Sequence, residues 1–175
     1  NQGTVAFTFD HLLSRVRFNF TESFKNDKIT VQVTNLKING VVSKGIYTGT
    51  WAPTTGTTVD YKFTGDPGTA WTTSAISDHL YFIPNTQDLN ITFTVQAFQA
   101  GVALADASNK TATIANYTME AGKSYEFTTD FNIDNVTDED DKPNPIEFTV
   151  TVVTGWGEFT DQAVTLPEAQ APAAE

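Results

Sequence analysis

Apolar and polar side chains alternate along most of this chain. The clearest example is Ile91, Phe93 and Val95, which alternate with Thr92 and Thr94. Successive side chains of a strand point to opposite faces, so a period of two predicts half-buried β-strands. Roughly ten such runs are separated by turn-rich stretches, and none has the period of a long helix. The pattern predicts an all-β, antiparallel two-sheet sandwich.

The apolar face changes parity near the N-terminus. Val5 and Phe7 occupy odd positions, whereas Val16 and Phe18 occupy even ones. One apolar face can change parity only through a bulge or through a turn into a new strand. The sequence therefore predicts a break at residues 11–14, HLLS.

A second bulge is predicted at residues 34–35, where the alternation passes from Val33 to Leu36. The Asn-Gly dipeptide follows at residues 39–40. This dipeptide suits the positive φ angles of a tight hairpin turn. We therefore predict that the chain reverses there and that a new strand starts at Val41.

Composition supports this fold and excludes several chemistries. Threonine occurs 29 times, phenylalanine 13 times and methionine once, which favours pleated surfaces over helices. The absence of cysteine excludes disulfides, thiolate metal sites and a cysteine nucleophile. No run approaches the roughly 18 apolar residues that cross a bilayer, and the first residues lack a signal-peptide pattern. If the protein is exported, we expect its targeting segment to have been removed.

The charge is acidic overall and unevenly distributed. The net charge of −11 argues against nucleic acid as a partner, because phosphate binding needs a basic surface. Residues 1–44 hold six basic residues against three acidic ones, whereas residues 124–175 hold twelve acidic residues and one lysine. This asymmetry either steers head-to-tail contacts between copies or is a solvated surface without a partner.

Two histidine-containing segments are the candidates for acid–base chemistry. One contains His11 and Ser14, and the other is Ser77-Asp78-His79. The second has the residue types of a serine triad, but consecutive residues on a strand point to opposite faces and cannot form the relay. We interpret both segments as polar entries to strands, and we expect no catalytic site and no cofactor.

The acidic segment after residue 129 is the candidate metal site. Asp130, Asn132 and Asp134 have the one-three-five spacing of a calcium loop, and Asp141 falls at its twelfth position. Asn135, however, occupies the sixth position, where such a loop needs glycine. The alternative is a strand that runs into an exposed acidic loop. We favour this alternative and expect no bound metal.

Three tryptophans suggest an alternative function as a surface glycan-binding module, because exposed indole rings pack against sugar faces. Trp51 and Trp71 flank turn-rich segments and are expected at the surface. Trp156 closes a strongly alternating strand and is expected in the core.

Several segments, in this order and spacing, resemble the fimbrillin-like proteins of Bacteroides-type anaerobes. They are HLLSRVRFNF, GIYTGTW, YFIPNTQDLNITFTV, YTMEAGKSYEFTTDFNI and IEFTVTVVTGW, and the likeness spans about residues 5–158. The resemblance implies a transthyretin-like Greek-key sandwich. It also implies a non-catalytic role in cell adhesion, as a stalk, tip or anchor subunit of a type V pilus. The residues at 11–20 then belong to a framework strand with its lead-in.

The same resemblance implies export as a lipoprotein to the outer membrane, anchored at the cell surface through a segment that has been removed. In that family, a strand from one subunit completes the sheet of the next. Residues 163–166, AVTL, are the candidate donor, and Pro167 limits its length. A host or bacterial surface receptor or glycan is the other expected partner. We expect residues 1–160 to form a single sandwich domain and residues 161–175 to form a flexible tail.

Overall fold

The computed structural model describes residues 10–24, 29–63, 75–104, 106–132, 136, 146–154 and 156. Twelve strands lie in these ranges: Ser14–Glu22 (β1), Ile29–Val42 (β2), Gly45–Tyr47 (β3), Trp51–Pro53 (β4), Thr58–Lys62 (β5), Ala75–Ile76 (β6), Leu80–Phe82 (β7), Thr86–Gln99 (β8), Val102–Ala103 (β9), Ser108–Thr118 (β10), Lys123–Phe131 (β11) and Thr149–Thr154 (β12). The all-β prediction is confirmed. Within the same ranges, no helix is long and apolar enough to cross a membrane.

The strands form two five-stranded sheets and one small hairpin. Sheet I has the order β12-β11-β1, and both β6 and β7 pair with the far side of β1. Sheet II has the order β10-β8-β2-β5, with β9 paired to β8, while β3 and β4 form the hairpin. All pairs are antiparallel except β1 with β11, which run parallel, a pairing that sequence alone did not predict. The sandwich is confirmed, whereas its transthyretin-like Greek key stays a prediction.

Aromatic side chains fill the space between the sheets. Phe18 is fully buried, and its ring centroid lies 4.8 Å from Phe63, 5.5 Å from Phe127 and 5.5 Å from Phe148. The contacts with Phe63 and Phe148 are edge to face, a geometry that adds to the free energy gained from burying the rings. The even-numbered apolar face predicted after the break at residues 11–14 therefore faces the core. The odd-numbered run before it lies outside the described residues.

One of the two features predicted in β2 is confirmed, and the other is wrong. The pairing of β2 with β8 shifts register between Thr34 and Lys37, where Asn35 has a φ of 55°, so the predicted bulge is present. The predicted hairpin at residues 39–40 is absent, because β2 continues to Val42. Gly40 has a φ of 68° and lies instead in a bulge against β5. Positive φ serves a bulge as well as a turn, so the dipeptide alone does not distinguish them.

The predicted division of the chain at residue 160 is not tested by the described strands. Residues 157–175 lie outside the described ranges, and so does the candidate donor at residues 163–166. The single domain of residues 1–160 and the tail of residues 161–175 stay predictions.

Candidate functional site

Two tryptophans hold the lead-in to β1, which we define as residues 11–13. The indole nitrogen of Trp51 donates a hydrogen bond of 2.5 Å to the Leu12 carbonyl oxygen. The indole nitrogen of Trp156 donates one of 3.2 Å to the Leu13 carbonyl oxygen. Both tryptophans are half-buried, so the prediction that Trp156 belongs to the core is wrong. It lies two residues after the end of β12 and contacts the lead-in through His11 and the Leu13 carbonyl.

His11 stacks on Trp156, with ring centroids 3.7 Å apart and an interplanar angle of 5°. The Tyr81 ring lies 5.1 Å from the same indole, and the Arg15 guanidinium carbon lies 5.6 Å from it. Arg15 also donates hydrogen bonds to the Ser124 hydroxyl at 2.6 Å and to the Trp156 carbonyl at 2.7 Å. We call His11, Arg15 and Trp156, together with the Leu13 carbonyl, the clasp.

The contacts of the clasp bear on the hypothesis that the tryptophans bind a glycan. The indole N–H groups of Trp51 and Trp156 are used to hold backbone, and one face of Trp156 is covered by His11. Trp71 lies outside the described residues. The glycan-binding alternative stays a prediction, and sequence reasoning missed Tyr81, which is 48% exposed beside this cluster.

The two candidate catalytic serines are structural links between strands. The buried Ser14 hydroxyl donates to the Phe82 carbonyl oxygen at 3.2 Å. The Ser77 hydroxyl accepts from the Phe18 backbone N–H at 2.8 Å and donates to the Asp78 carbonyl at 2.9 Å. Each serine therefore ties β1 to the strand segments beside it. His11 contacts Trp156, and the expectation of no catalytic site stays a prediction.

Asp130, the first residue of the calcium hypothesis, lies within β11. Its carboxylate accepts hydrogen bonds from the Thr21 hydroxyl at 2.9 Å and the Ser23 hydroxyl at 2.5 Å. These bonds tie the end of β11 to the end of β1. Asn132 follows the strand and is half-buried. The other residues of the hypothesis, Asp134, Asn135 and Asp141, lie outside the described ranges, so calcium binding stays untested.

A groove separates the two sheets on one side of the sandwich. β10 and β12 are the end strands of Sheets II and I. Residues of β10 and of the segment just before β12 line the same gap. The gap has a volume of about 400 Å³. Its lining is formed by Ala112, Thr113, Ile114, Ala115, Ile146, Glu147 and Phe148. We call this gap the lateral groove.

The floor of the lateral groove is the margin of the aromatic core. The half-buried Phe148 ring lies 5.5 Å from Phe18 and 6.3 Å from Phe93. Ile114 is half-buried beside it. Among the described strands, none pairs with the outer edge of β10 or of β12. Such an edge presents backbone N–H and C=O groups as a template for another strand.

Some of the unevenly distributed charges in the sequence pair with one another within the domain. Because β1 lies beside β11, residues from the basic N-terminal part face residues from the acidic C-terminal part. Arg17 and Glu126 are in register, and their Nε and Oε2 atoms lie 2.6 Å apart. This pair, together with the bond from Arg15 to Ser124, engages two of the six basic residues of residues 1–44.

Two tyrosines bridge the sheets next to the core. The Tyr117 and Tyr125 ring centroids lie 5.7 Å apart, edge to face. Burial raises the pKa of Tyr117 to about 12, and the neighbouring Tyr125 phenol adds to the rise. Burial also raises the pKa of Tyr125, although the hydrogen bond from the Glu120 backbone N–H opposes it. Both phenols are therefore neutral at physiological pH.

Comparison with known proteins gives a family and a fold. A family model described as fimbrillin-like matches residues 1–156. A candidate cell adhesion protein from Bacteroides uniformis shares 16% identity and a TM-score of 0.51, over 87% of this chain and 54% of that one. A candidate cell adhesion protein from Parabacteroides distasonis shares 15% identity and a TM-score of 0.51, over 83% of this chain and 52% of that one. No curated protein matches the chain.

A fimbrial protein from Bacteroides vulgatus is also similar, with 16% identity and a TM-score of 0.43, over 85% of this chain and 55% of that one. The chain thus spans about half the length of these solved structures. At these identities, the likeness to the first two structures shows a shared fold.

Proposed function

Because the chain belongs to the fimbrillin-like family, we propose that it is a fimbrial subunit, a structural and adhesive protein of the cell surface without catalytic activity. The proposal covers the stalk, tip and anchor positions of a fimbria. The observation that carries it is the lateral groove, where two end strands lie beside an apolar floor. A subunit that polymerises needs a surface of this kind.

The mode of assembly that we propose is strand addition. An extended segment from a second subunit enters the lateral groove and pairs its backbone with β10 or β12. Main-chain hydrogen bonds supply the affinity, and alternate side chains set the register. Ile114 and Phe148 receive the apolar side chains, since both are half-buried and continuous with the core. Residues 163–166 are the proposed donor, with Val164 and Leu166 two positions apart.

A peptide of residues 160–167, TDQAVTLP, tests this assembly mode. Its binding to the protein is measured by fluorescence anisotropy, beside the size distribution of the protein from light scattering. We expect binding that is lost in Ile114→Lys, because a buried ammonium group in the groove is costly. Thr111→Lys is the matched control, since Thr111 is an exposed residue of the same strand.

Equal binding by Ile114→Lys and by the unaltered protein, with both variants folded by circular dichroism, would reject the lateral groove as the assembly surface. A peptide with Val164→Asp and Leu166→Asp serves as the second control. If this peptide binds as well as the original, the interaction has no register and strand addition is wrong.

Attachment to the outer membrane through a removed lipid-bearing segment is part of the same proposal and is supported by family membership. The N-terminal sequence of the precursor and incorporation of a labelled fatty acid test it. We expect a lipid-modified cysteine ahead of residue 1. A precursor that incorporates no labelled fatty acid would contradict the anchor.

A further inference from the structure

We propose that the clasp is a mechanical latch, which carries tension between the start of β1 and the end of β12 before that tension reaches Sheet I. The inference rests on the proposed fimbrial function, because a subunit within a fimbria is held under tension. The latch itself is a property of this chain, and it can be measured on the isolated protein.

The order of the strands brings the two ends that the latch would connect to the same end of Sheet I. β1 is parallel to β11, and β12 is antiparallel to β11, so the start of β1 and the end of β12 lie at the same end of Sheet I. The register gives the same result, since Ser124 pairs with Arg15 on one side and with Val153 on the other. Tension between these two ends acts across β11. The hydrogen bonds of the sheet would then break one after another, and a sheet loaded in this direction resists little force.

The clasp connects the same two ends directly. His11 stacks on Trp156, the Arg15 guanidinium donates to the Trp156 carbonyl at 2.7 Å, and the Trp156 indole donates to the Leu13 carbonyl at 3.2 Å. Three contacts between two short segments are loaded together and must fail together. The clasp therefore has to open before the pairing of β11 with its neighbours is loaded.

The backbone at Trp156 supports a special role for this residue. Its φ is 55°, a left-handed conformation that bulky residues rarely adopt. Such strain persists only where surrounding contacts hold it, and it occurs preferentially at functional sites. Here the contacts that hold it are those of the clasp. Once the clasp opens, the Trp156 backbone is free to leave this left-handed conformation.

Pulling between single residues tests the latch, since the chain has no cysteine and accepts unique handles. Handles at Asp10→Cys, which is exposed and precedes His11, and at Gly157→Cys, which follows Trp156 in the sequence, load the clasp. Handles at Lys62→Cys and Thr111→Cys, both exposed on Sheet II, provide the control direction. The lifetime of the folded protein at constant force is measured for each pair with and without Trp156→Ala.

We expect Trp156→Ala to shorten the lifetime by about ten- to a hundredfold in the first direction, which corresponds to the loss of one aromatic stack and one hydrogen bond, since the carbonyl that Arg15 contacts remains. In the control direction we expect less than about a threefold change, since the clasp is not on that path. His11→Ala, which removes only the stack from an exposed position, is expected to shorten the lifetime by about three- to tenfold in the first direction. If Trp156→Ala does not fold, the His11→Ala variant by itself tests the latch.

Equal shortening in both directions would show that Trp156 contributes only to global stability, and would overturn the latch. An unchanged lifetime in the first direction would overturn it as well. Neither result bears on the fimbrial proposal, which the groove peptide tests independently. Loss of peptide binding with an intact latch would instead reject assembly through the lateral groove.

Discussion

Two ion pairs, one in each sheet, show how differently the outward faces of this sandwich are built. In Sheet I, Arg17 and Glu126 lie 2.6 Å apart with side chains only 11% and 5% exposed. In Sheet II, Lys37 and Asp60 lie 3.7 Å apart with side chains 36% and 48% exposed. All four residues occupy polar positions opposite the core. Alternation therefore assigns a side chain to a face, but it does not determine whether water reaches that face.

The difference extends beyond the two pairs. On β1, every residue from Val16 to Phe20 is buried, including Asn19 at 6% exposure. On β8, Asn90 is exposed and Thr92 is half-buried, so water reaches the outer face of Sheet II. A buried charge needs a partner with good geometry, whereas an exposed pair gains little because water competes with it. The sheets therefore differ in how much their polar residues contribute to stability.

Removing the buried carboxylate has the largest expected effect. Glu126→Ala leaves the Arg17 guanidinium buried without this carboxylate, and we expect a loss of about 3–5 kcal/mol in the free energy of unfolding. Urea denaturation followed by circular dichroism measures it. The double variant Arg17→Met/Glu126→Leu is the control, and we expect it to recover most of the loss. A loss below about 1 kcal/mol in Glu126→Ala would mean that the outer face of Sheet I is hydrated.

Backbone strain is the next largest effect, and it lies in Sheet II. Gly40 has a φ of 68° and an open space where a Cβ would project, so Gly40→Ala introduces strain without a clash. We expect it to cost about 1–2 kcal/mol in the free energy of unfolding, measured by the same denaturation curves. The Gly40 backbone N–H keeps its bond to Asp60 in this variant. An unchanged stability would show that the bulge adjusts to a different φ.

Breaking the exposed pair has a smaller effect. Lys37→Met removes the ammonium group and keeps the bond from Gly40 to Asp60, and we expect a loss below about 1 kcal/mol at low salt. In about 1 M salt the difference from the unaltered protein should disappear, because the charges are screened. A loss as large as that of Glu126→Ala would abolish the contrast between the two sheets.

The smallest expected effect concerns the tyrosines that join the sheets, and it appears only above pH 10. Burial raises the pKa of Tyr117 in the folded protein to about 12, from the value of 10.0 for a tyrosine that is not buried. A raised pKa means that the folded state holds the proton more tightly, so this contribution is complete below pH 10 and is lost as the pH rises towards 12. Absorbance of tyrosinate, compared between the protein and Tyr117→Phe, should show the late-titrating phenol. Titration of all tyrosines near pH 10 would contradict its burial.

Local chemistry made part of this fold predictable. The bulge at residues 34–35 follows from a change of parity within one run of residues, and the core residues of β8 follow from uninterrupted alternation. The hairpin expected at residues 39–40 failed because pairing with β8 and β5 on both sides keeps β2 extended. Trp156 was expected in the core because it ends an alternating run, but a left-handed turn directs it towards His11.

The sequence by itself determined that this chain forms strands, which side of each strand is apolar and that no thiol chemistry is available, because these depend on neighbouring residues and composition. Only the tertiary structure decided that β1 lies parallel to β11, that Glu126 meets Arg17 and that His11 meets Trp156. These contacts join residues more than 100 positions apart. The order of strands in a sheet selects such contacts, and that order is set by the packing of the whole core.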